Sequence, residues 1–433
     1  MDVTSNTVTS ENLLSGQTAI GNNGETITGG LIGGPYYGIY DSIMRAGEVH
    51  ASGSYYYYSY TSEDVSAWCD SYSRIDYTTF QGVTFRGSFY FNNISSYIRN
   101  HAFGFGFCGN GTGVVNDADF YFNNFSSDLR EGVFYGNKNI SHVAIPLCTS
   151  IGMYAFYSAY IQSANFPACT EIASYAFCKC SVSEVSFPVC TTMKGSAFED
   201  CSKLNKAIFP VCTSIPQSAF HNCRSLSLAD FPTCLTIGYG AFSNCSQLTS
   251  INFPKCETID VYAFIYCSSL TSVDFPSCIT INSQAFRYCS NLTTIDFPKC
   301  ETIGSYAFAN CFALTSISFL NCTLINSNAF SGCTALTTVF LSNCSSIGGY
   351  AFSQCYNLIS LYLLGSSVVY IPGTTPFLST PLSNYSTSAG RWGSIFVRES
   401  LYDAYMSAGT WGNAFSSRIV SLTDSEIEAL SFI

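Results

Sequence analysis

The sequence predicts a repeat solenoid: a parallel β-sheet on one face, short helical or 3-10 turns on the other, and a cap at each end. Three observations predict it. Pro146, Pro167, Pro188, Pro210, Pro232, Pro254, Pro276 and Pro298 recur at intervals of 21, 21 and then 22 residues. An Ala-Phe pair keeps the same beat, as in Ala263-Phe264 and Ala285-Phe286. Most of the 22 cysteines fall into two columns set by those landmarks. A fixed period in the twenties marks units that cannot bury an apolar side alone and must stack.

The first stretch, residues 1–35, is polar and Gly-rich. Asn22-Asn23-Gly24 is turn chemistry between two short strand-like segments, so a hairpin module is expected there. Residues 36–87 are Tyr-rich, with Tyr55, Tyr56, Tyr57, Tyr58 and Tyr60 among Ser, Gly and Asp. They predict a β cap over the open end of the solenoid. Tyr set among small polar residues also suits adaptable recognition, which makes these five tyrosines candidate binding residues.

The solenoid itself is expected over 88–365, as two degenerate and ten regular copies. Phe91 leads to Ile98 and Ala102-Phe103, and Phe122 leads to Leu129 and Val133-Phe134, with the spacing of later copies. In a regular copy Leu248, Ile251 and Phe253 alternate with Ser250 and Asn252, a short strand with one apolar face. Proline after the Phe ends the strand because it cannot donate to the ladder. Tyr262-Ala263-Phe264 then makes the turn on the other side. The period stops after Leu364-Gly365. Residues 366–433 read as an αβ cap: a Ser/Thr/Pro-rich excursion, a strand at Ser394–Val397, a helix at Leu401–Ala408, then Trp411, Phe415 and Ile419 to close the end.

Ten cysteines sit two residues after the proline column: Cys148, Cys169, Cys190, Cys212, Cys234, Cys256, Cys278, Cys300, Cys322 and Cys344. Nine sit three after the Ala-Phe pair: Cys180, Cys201, Cys223, Cys245, Cys267, Cys289, Cys311, Cys333 and Cys355. One residue per coil makes each column a ladder of small buried side chains. Neighbouring coils stand about 4.8 Å apart, against a mean of about 3.8 Å between the Cβ atoms of a disulfide, so free thiols are expected. No C-x2-C pairing nominates zinc.

The formal charge is −11 with only 10% charged residues, which argues against nucleic acid. No apolar run is long enough to span a membrane. The first residues have neither a basic nor an apolar stretch, so no secretion signal is expected in this chain. His50, His101, His142 and His221 are scattered, and no nucleotide-binding glycine pattern stands in a strand–helix setting. No cofactor, metal or catalytic residue is nominated. Outward strand positions are the better candidates for function. Asp230, Asp274 and Asp296 form a mild acidic stripe along one column that also holds Asn252, and Phe340 and Tyr362 an aromatic patch at its C-terminal end, all six being candidate binding residues.

The phrase Ile303-Gly304-Ser305-Tyr306-Ala307-Phe308-Ala309-Asn310-Cys311, with Leu314 and Ile317 following, resembles the bacterial leucine-rich repeat of the BspA or Treponema type. The resemblance covers the periodic region and implies a leucine-rich-repeat fold. It also implies adhesion and protein–protein interaction at cell surfaces. Cys replaces Leu at the first ladder position. Leu13-Leu14-Ser15-Gly16-Gln17-Thr18-Ala19, with Gly24 to Gly30, resembles a module at the ends of phage tail proteins, Gln17 standing where that module has Lys. The two resemblances point to different biology. One is a phage or prophage tail-associated receptor-binding protein that contacts a bacterial surface, with residues 1–35 attached to other tail proteins. The other is a bacterial surface adhesin for a host glycan or matrix protein. The expected site of action is accordingly a virion tail or the extracellular surface, and a plain structural spacer is the third reading.

Overall fold

The computed structural model describes residues 119–138, 140–383 and 392–430 in full, and before them the backbone of strands between Thr18 and Tyr121. The chain divides into two compact units, Met1–Cys190 and Thr191–Ile433. Both wind as parallel β-solenoids.

In the first unit, Thr18–Ile20 and Thr26–Thr28 pair antiparallel with Ala19 opposite Ile27, the hairpin that the Asn-Asn-Gly turn predicts. Glu48–Ser52 pairs antiparallel with Tyr55–Tyr60, and Tyr58 to Tyr60 then run parallel to Val83 to Phe85. The side chains of Tyr55, Tyr56, Tyr57, Tyr58 and Tyr60 lie outside the described residues. Parallel pairing continues through Val83–Tyr90, Val115–Tyr121, Ile140–Ala144 and Ile161–Asn165. The degenerate copy that starts at Phe122 is built as a coil, with Phe122, Phe125, Leu129 and Phe134 fully buried. Phe134, Phe156 and Phe177 stack face to face at 5.0 and 4.9 Å.

In the second unit each regular coil contributes two strands. The first is the expected one, as in Leu228–Asp230 beside Ser250–Asn252 with Ala229 opposite Ile251. The second is only two residues long and forms its own parallel sheet of seven strands, from Ser214–Ile215 through Thr258–Ile259 to Ser346–Ile347. Its Ile column points inward and is buried. The linking corner is a tight turn in which Cys256 N–H donates to the Phe253 carbonyl at 3.2 Å, with Pro254 at the position where its fixed φ fits. Where Pro gives way to Leu320 and Ser342, the strands lengthen from three residues to four, as Ser316–Phe319 and Thr338–Leu341. Proline therefore sets strand length here.

The turn side is stitched rather than coiled into a separate helix. Ala263, Ile265 and Cys267 donate three residues back, bonds of the 3-10 kind, while Tyr262, Phe264 and Tyr266 donate to carbonyls of the next coil at 3.2, 2.8 and 3.0 Å. Two residues per coil, such as Tyr262 and Tyr266, adopt left-handed backbone with φ of 61° and 62°. That conformation costs an L-residue roughly 1–2 kcal/mol. It is held because it aims alternate N–H groups along the stack.

Two phenylalanine columns fill the core. Phe264 stacks on Phe242 and Phe286 at 5.2 and 5.1 Å and meets Phe253 and Phe275 edge-on at 6.2 and 6.1 Å. Both contact types are favoured by the ring quadrupole. Close stacking leaves no room at Gly304, where an added Cβ would lie 2.5 Å from the backbone of Asn282 and Ser283. Gly304→Ala should therefore force two coils apart and destabilise by about 1–3 kcal/mol, read as a lower urea midpoint. An unchanged midpoint would show that the coils shift freely past each other.

Beyond Gly365, where the repeat motif stops, the backbone goes on coiling. Pro376 and Leu378 carbonyls accept from Phe352 and Gln354, and Phe377 stacks on Phe352 at 5.8 Å. Strand Ser394–Arg398 then adds in parallel to Ser360–Leu363, and Ile419–Leu422 adds to it in turn. Helices Tyr402–Ser407 and Gly409–Phe415 lie between them and bury Tyr405, Trp411 and Phe415. Trp411 donates to the Val369 carbonyl at 2.7 Å and the Tyr405 hydroxyl accepts from Val369 N–H at 3.1 Å. Both polar tips are thus satisfied inside the closure.

Candidate binding face

The outward side of the main sheet in the second unit is a row of side chains one coil apart. Asp230 and Asn252 are in register, and the Asn252 amide donates to the Asp230 carboxylate at 2.8 Å. Asp274 and Asp296 are also register partners and both are exposed. Two like charges on adjacent strands repel, so this part of the row presents unneutralised carboxylates. Its chemistry favours a partner with basic or hydrogen-bond-donating groups.

Further along, Ser318, Phe340, Tyr362, Phe396 and Val420 continue the row by strand register. Phe340 stacks on Tyr362 at 4.4 Å and Tyr362 on Phe396 at 4.5 Å, each pair 15° from parallel. Phe340 is only 8% exposed, whereas Tyr362 and Phe396 are half-buried and Val420 is 40% exposed. Of the two expected aromatics, Tyr362 is thus the more accessible. The repeat period ends before Phe396, so sequence reasoning missed it. Its signal was present, since Ser394-Ile395-Phe396-Val397 repeats the pattern of Ser360-Leu361-Tyr362-Leu363.

The cysteine columns are structural corners. The twenty described cysteines are buried and stand outside any disulfide. First-column thiols donate within their own corner, as Cys256 does to the Thr258 carbonyl at 3.4 Å. Second-column thiols donate across coils, as Cys267 does to the Phe242 carbonyl at 3.2 Å. That same carbonyl accepts from Cys245 N–H at 3.1 Å, so the thiol occupies its second lone pair. Burial pushes the thiols of Cys234, Cys256, Cys300 and Cys344 up to about 12, and Cys245, Cys267, Cys311 and Cys355 also rise for the same reason. A thiol held protonated is neither nucleophile nor metal ligand. Among the described residues, no three His, Cys, Asp or Glu are grouped to hold a metal ion, and no helix is long and apolar enough to cross a membrane. His142 hydrogen-bonds Ser163 on the neighbouring strand.

A stack of short coils that displays a flat sheet of variable side chains is a binding scaffold of the leucine-rich-repeat class. The BspA type leucine-rich repeat region matches residues 50–169, 149–271 and 257–375, and the chain belongs to that family. Proteins of this class are generally protein-binding and non-catalytic, and BspA-type members are often found at cell surfaces. No curated protein matches the sequence. Among solved structures, it is similar to the leucine-rich repeat protein of T. pallidum, with 25% identity over 43% of this chain and 82% of that one, and a TM-score of 0.35. A leucine-rich repeat protein from Bacteroides ovatus matches with 17% identity over 75% and 97% of the two chains, and a TM-score of 0.36. A leucine-rich cell surface protein from Faecalibacterium prausnitzii matches with 18% identity over 74% and 86%, and a TM-score of 0.32.

Proposed function

We propose that this chain is a recognition protein of a phage or prophage tail, which contacts a protein or glycan on a bacterial surface and catalyses nothing. The observation that carries this reading is the pair of free cysteine ladders. A core built on buried thiols outside any disulfide in every coil favours assembly in a reducing cytosol, before release, over passage along an oxidising secretion route. The antiparallel hairpin Thr18–Ile20 and Thr26–Thr28 supports it, because it lies within the stretch that resembles a tail-protein module. In this reading residues 1–35 attach to other tail proteins. The candidate receptor-binding residues are Tyr55, Tyr56, Tyr57, Tyr58 and Tyr60 in the first unit and, separately, the outward row from Asp230 to Tyr362 in the second. Family membership favours a second reading, a bacterial surface adhesin for a host glycan or matrix protein.

Binding of labelled full-length protein to intact bacterial cells, beside mucin and matrix proteins, separates the two. Saturable binding to particular bacterial strains, weakened at least tenfold in an Asp274→Asn, Asp296→Asn, Tyr362→Ala variant, is the expected result. Binding to mucin or matrix alone would replace the tail reading with the adhesin.

A further inference from the structure

The main sheet of the second unit stops at a bare edge. Its last strand, Ile419–Leu422, pairs in parallel with Ser394–Arg398 on one side. On the other side no described residue offers its backbone a hydrogen bond. Proteins blunt such edges with Lys, Pro, a bulge or an inward charge, because unpaired N–H and C=O groups template the pairing of another strand. Ile419-Val420-Ser421-Leu422 carries none of these devices, and Val420 is 40% exposed.

The two ends of this strand carry opposite charge. Before it stands Arg418, whose guanidinium lies 3.7 Å from the ring centroid of Trp392, itself 59% exposed. No carboxylate pairs with Arg418 among the described residues. After the strand comes the short helix Asp424–Glu428, with Asp424, Glu426 and Glu428 exposed and Ile427 half-buried. The Asp424 side chain remains 82% exposed while it accepts from Arg398 at 2.8 Å. The strand is thus basic and aromatic where it begins, and acidic where it ends. A second copy turned end for end matches both ends at once, because antiparallel pairing sets the Arg418 end of each chain beside the acidic helix of the other.

We propose that the Ile419–Leu422 edge pairs antiparallel with the same edge of a second copy, across a two-fold axis centred on Val420, so that two main sheets fuse into one. Each strand then gains the backbone bonds that its edge lacks, as in β-strand addition. The same surface is used by both copies, so the contact closes at two and does not grow further. An axis at Val420 also carries the outward row across the junction. Tyr362, Phe396 and Val420 of one copy run on into Val420, Phe396 and Tyr362 of the other, so each copy extends the row of its partner. Use of the joined row as a receptor platform rests on the binding face proposed above, whereas the pairing does not and is tested without a receptor.

Sedimentation of the full-length chain under reducing conditions, over a wide range of concentration, should show a monomer–dimer equilibrium. Val420→Lys sets like charges across the axis and blunts the edge, so the dimer should weaken at least tenfold while Tm holds. Arg418→Glu sets acid against acid and should weaken it as well. In an antiparallel pair centred on Val420 the two Cβ atoms stand about 4.5–5.5 Å apart, so Val420→Cys should cross-link under mild oxidation. Tyr356→Cys, at a residue 45% exposed elsewhere in the same unit, should cross-link no more than the unsubstituted chain. A chain that stays monomeric throughout would overturn the proposal and leave the edge to an extended segment of another protein. So would a dimer that Val420→Lys leaves intact, or cross-linking of Val420→Cys no faster than that of Tyr356→Cys.

Discussion

Phe264→Ala should destabilise the second unit by about 3–5 kcal/mol, the range for emptying a buried phenylalanine site. Phe264 is fully buried and touches rings in both adjacent coils as well as both flanking strand-end rings. Collapse around the vacancy is hindered, since each coil is fixed to the next by three turn-side hydrogen bonds at 2.8–3.2 Å. In a stack with nearest-neighbour coupling the damage should also break cooperativity. Urea unfolding followed by tyrosine fluorescence should show a lower midpoint and a broadened or split transition. Tyr362→Ala, on the half-buried outward row, should cost far less. Equal losses from the two substitutions would contradict the assignment of inner and outer faces.

Alkaline pH should destabilise the protein from about pH 9, and above pH 10 Tyr405, raised by burial to about 12, adds to the loss. The ordinary thiol value is 9.0, and burial raises Cys234, Cys256, Cys300 and Cys344 to about 12 in the folded chain. Between those values the unfolded chain has lost protons that the folded chain keeps, so stability falls as pH rises. It is complete below pH 9 and declines from there to about 12, each such thiol withdrawing about 1.4 kcal/mol per pH unit. Because the ladders supply several of them, the sum exceeds the usual stability of a domain before pH 12 is reached. The measurement is the urea midpoint from pH 7 to 11, paired with maleimide labelling at neutral pH. A steep fall above pH 9 and native labelling far slower than labelling in denaturant are expected. A flat profile with rapid native labelling would remove the buried-ladder account.

Much of this architecture was legible because a stacked coil repeats its environment. Phe264 and Phe286 meet the same neighbours, so the same residue returns every 22 positions, and the period shows itself. Cys256 and Cys267 read as small buried corners for the same reason. Asp274 and Asp296 could be placed on the outward face because strand side chains alternate. The two-residue sheet through Thr258–Ile259 was not legible, since two residues carry no alternation to detect. Nor was the pairing of turn-side N–H groups between coils, which depends on left-handed backbone at residues as unlike as Tyr262, Gln284 and Asn328.

The outward aromatic row marks the limit most clearly. Phe340 and Tyr362 were found by their column, but Phe396 reaches the row only after an excursion of more than twenty residues returns the chain to the sheet edge. By itself the sequence determined the coil, its inner face and its thiol corners, because those depend on contacts that every repeat shares. Tertiary structure alone decided which outward side chains become neighbours, since that depends on register between coils and on the path of the chain where the repeat has ended.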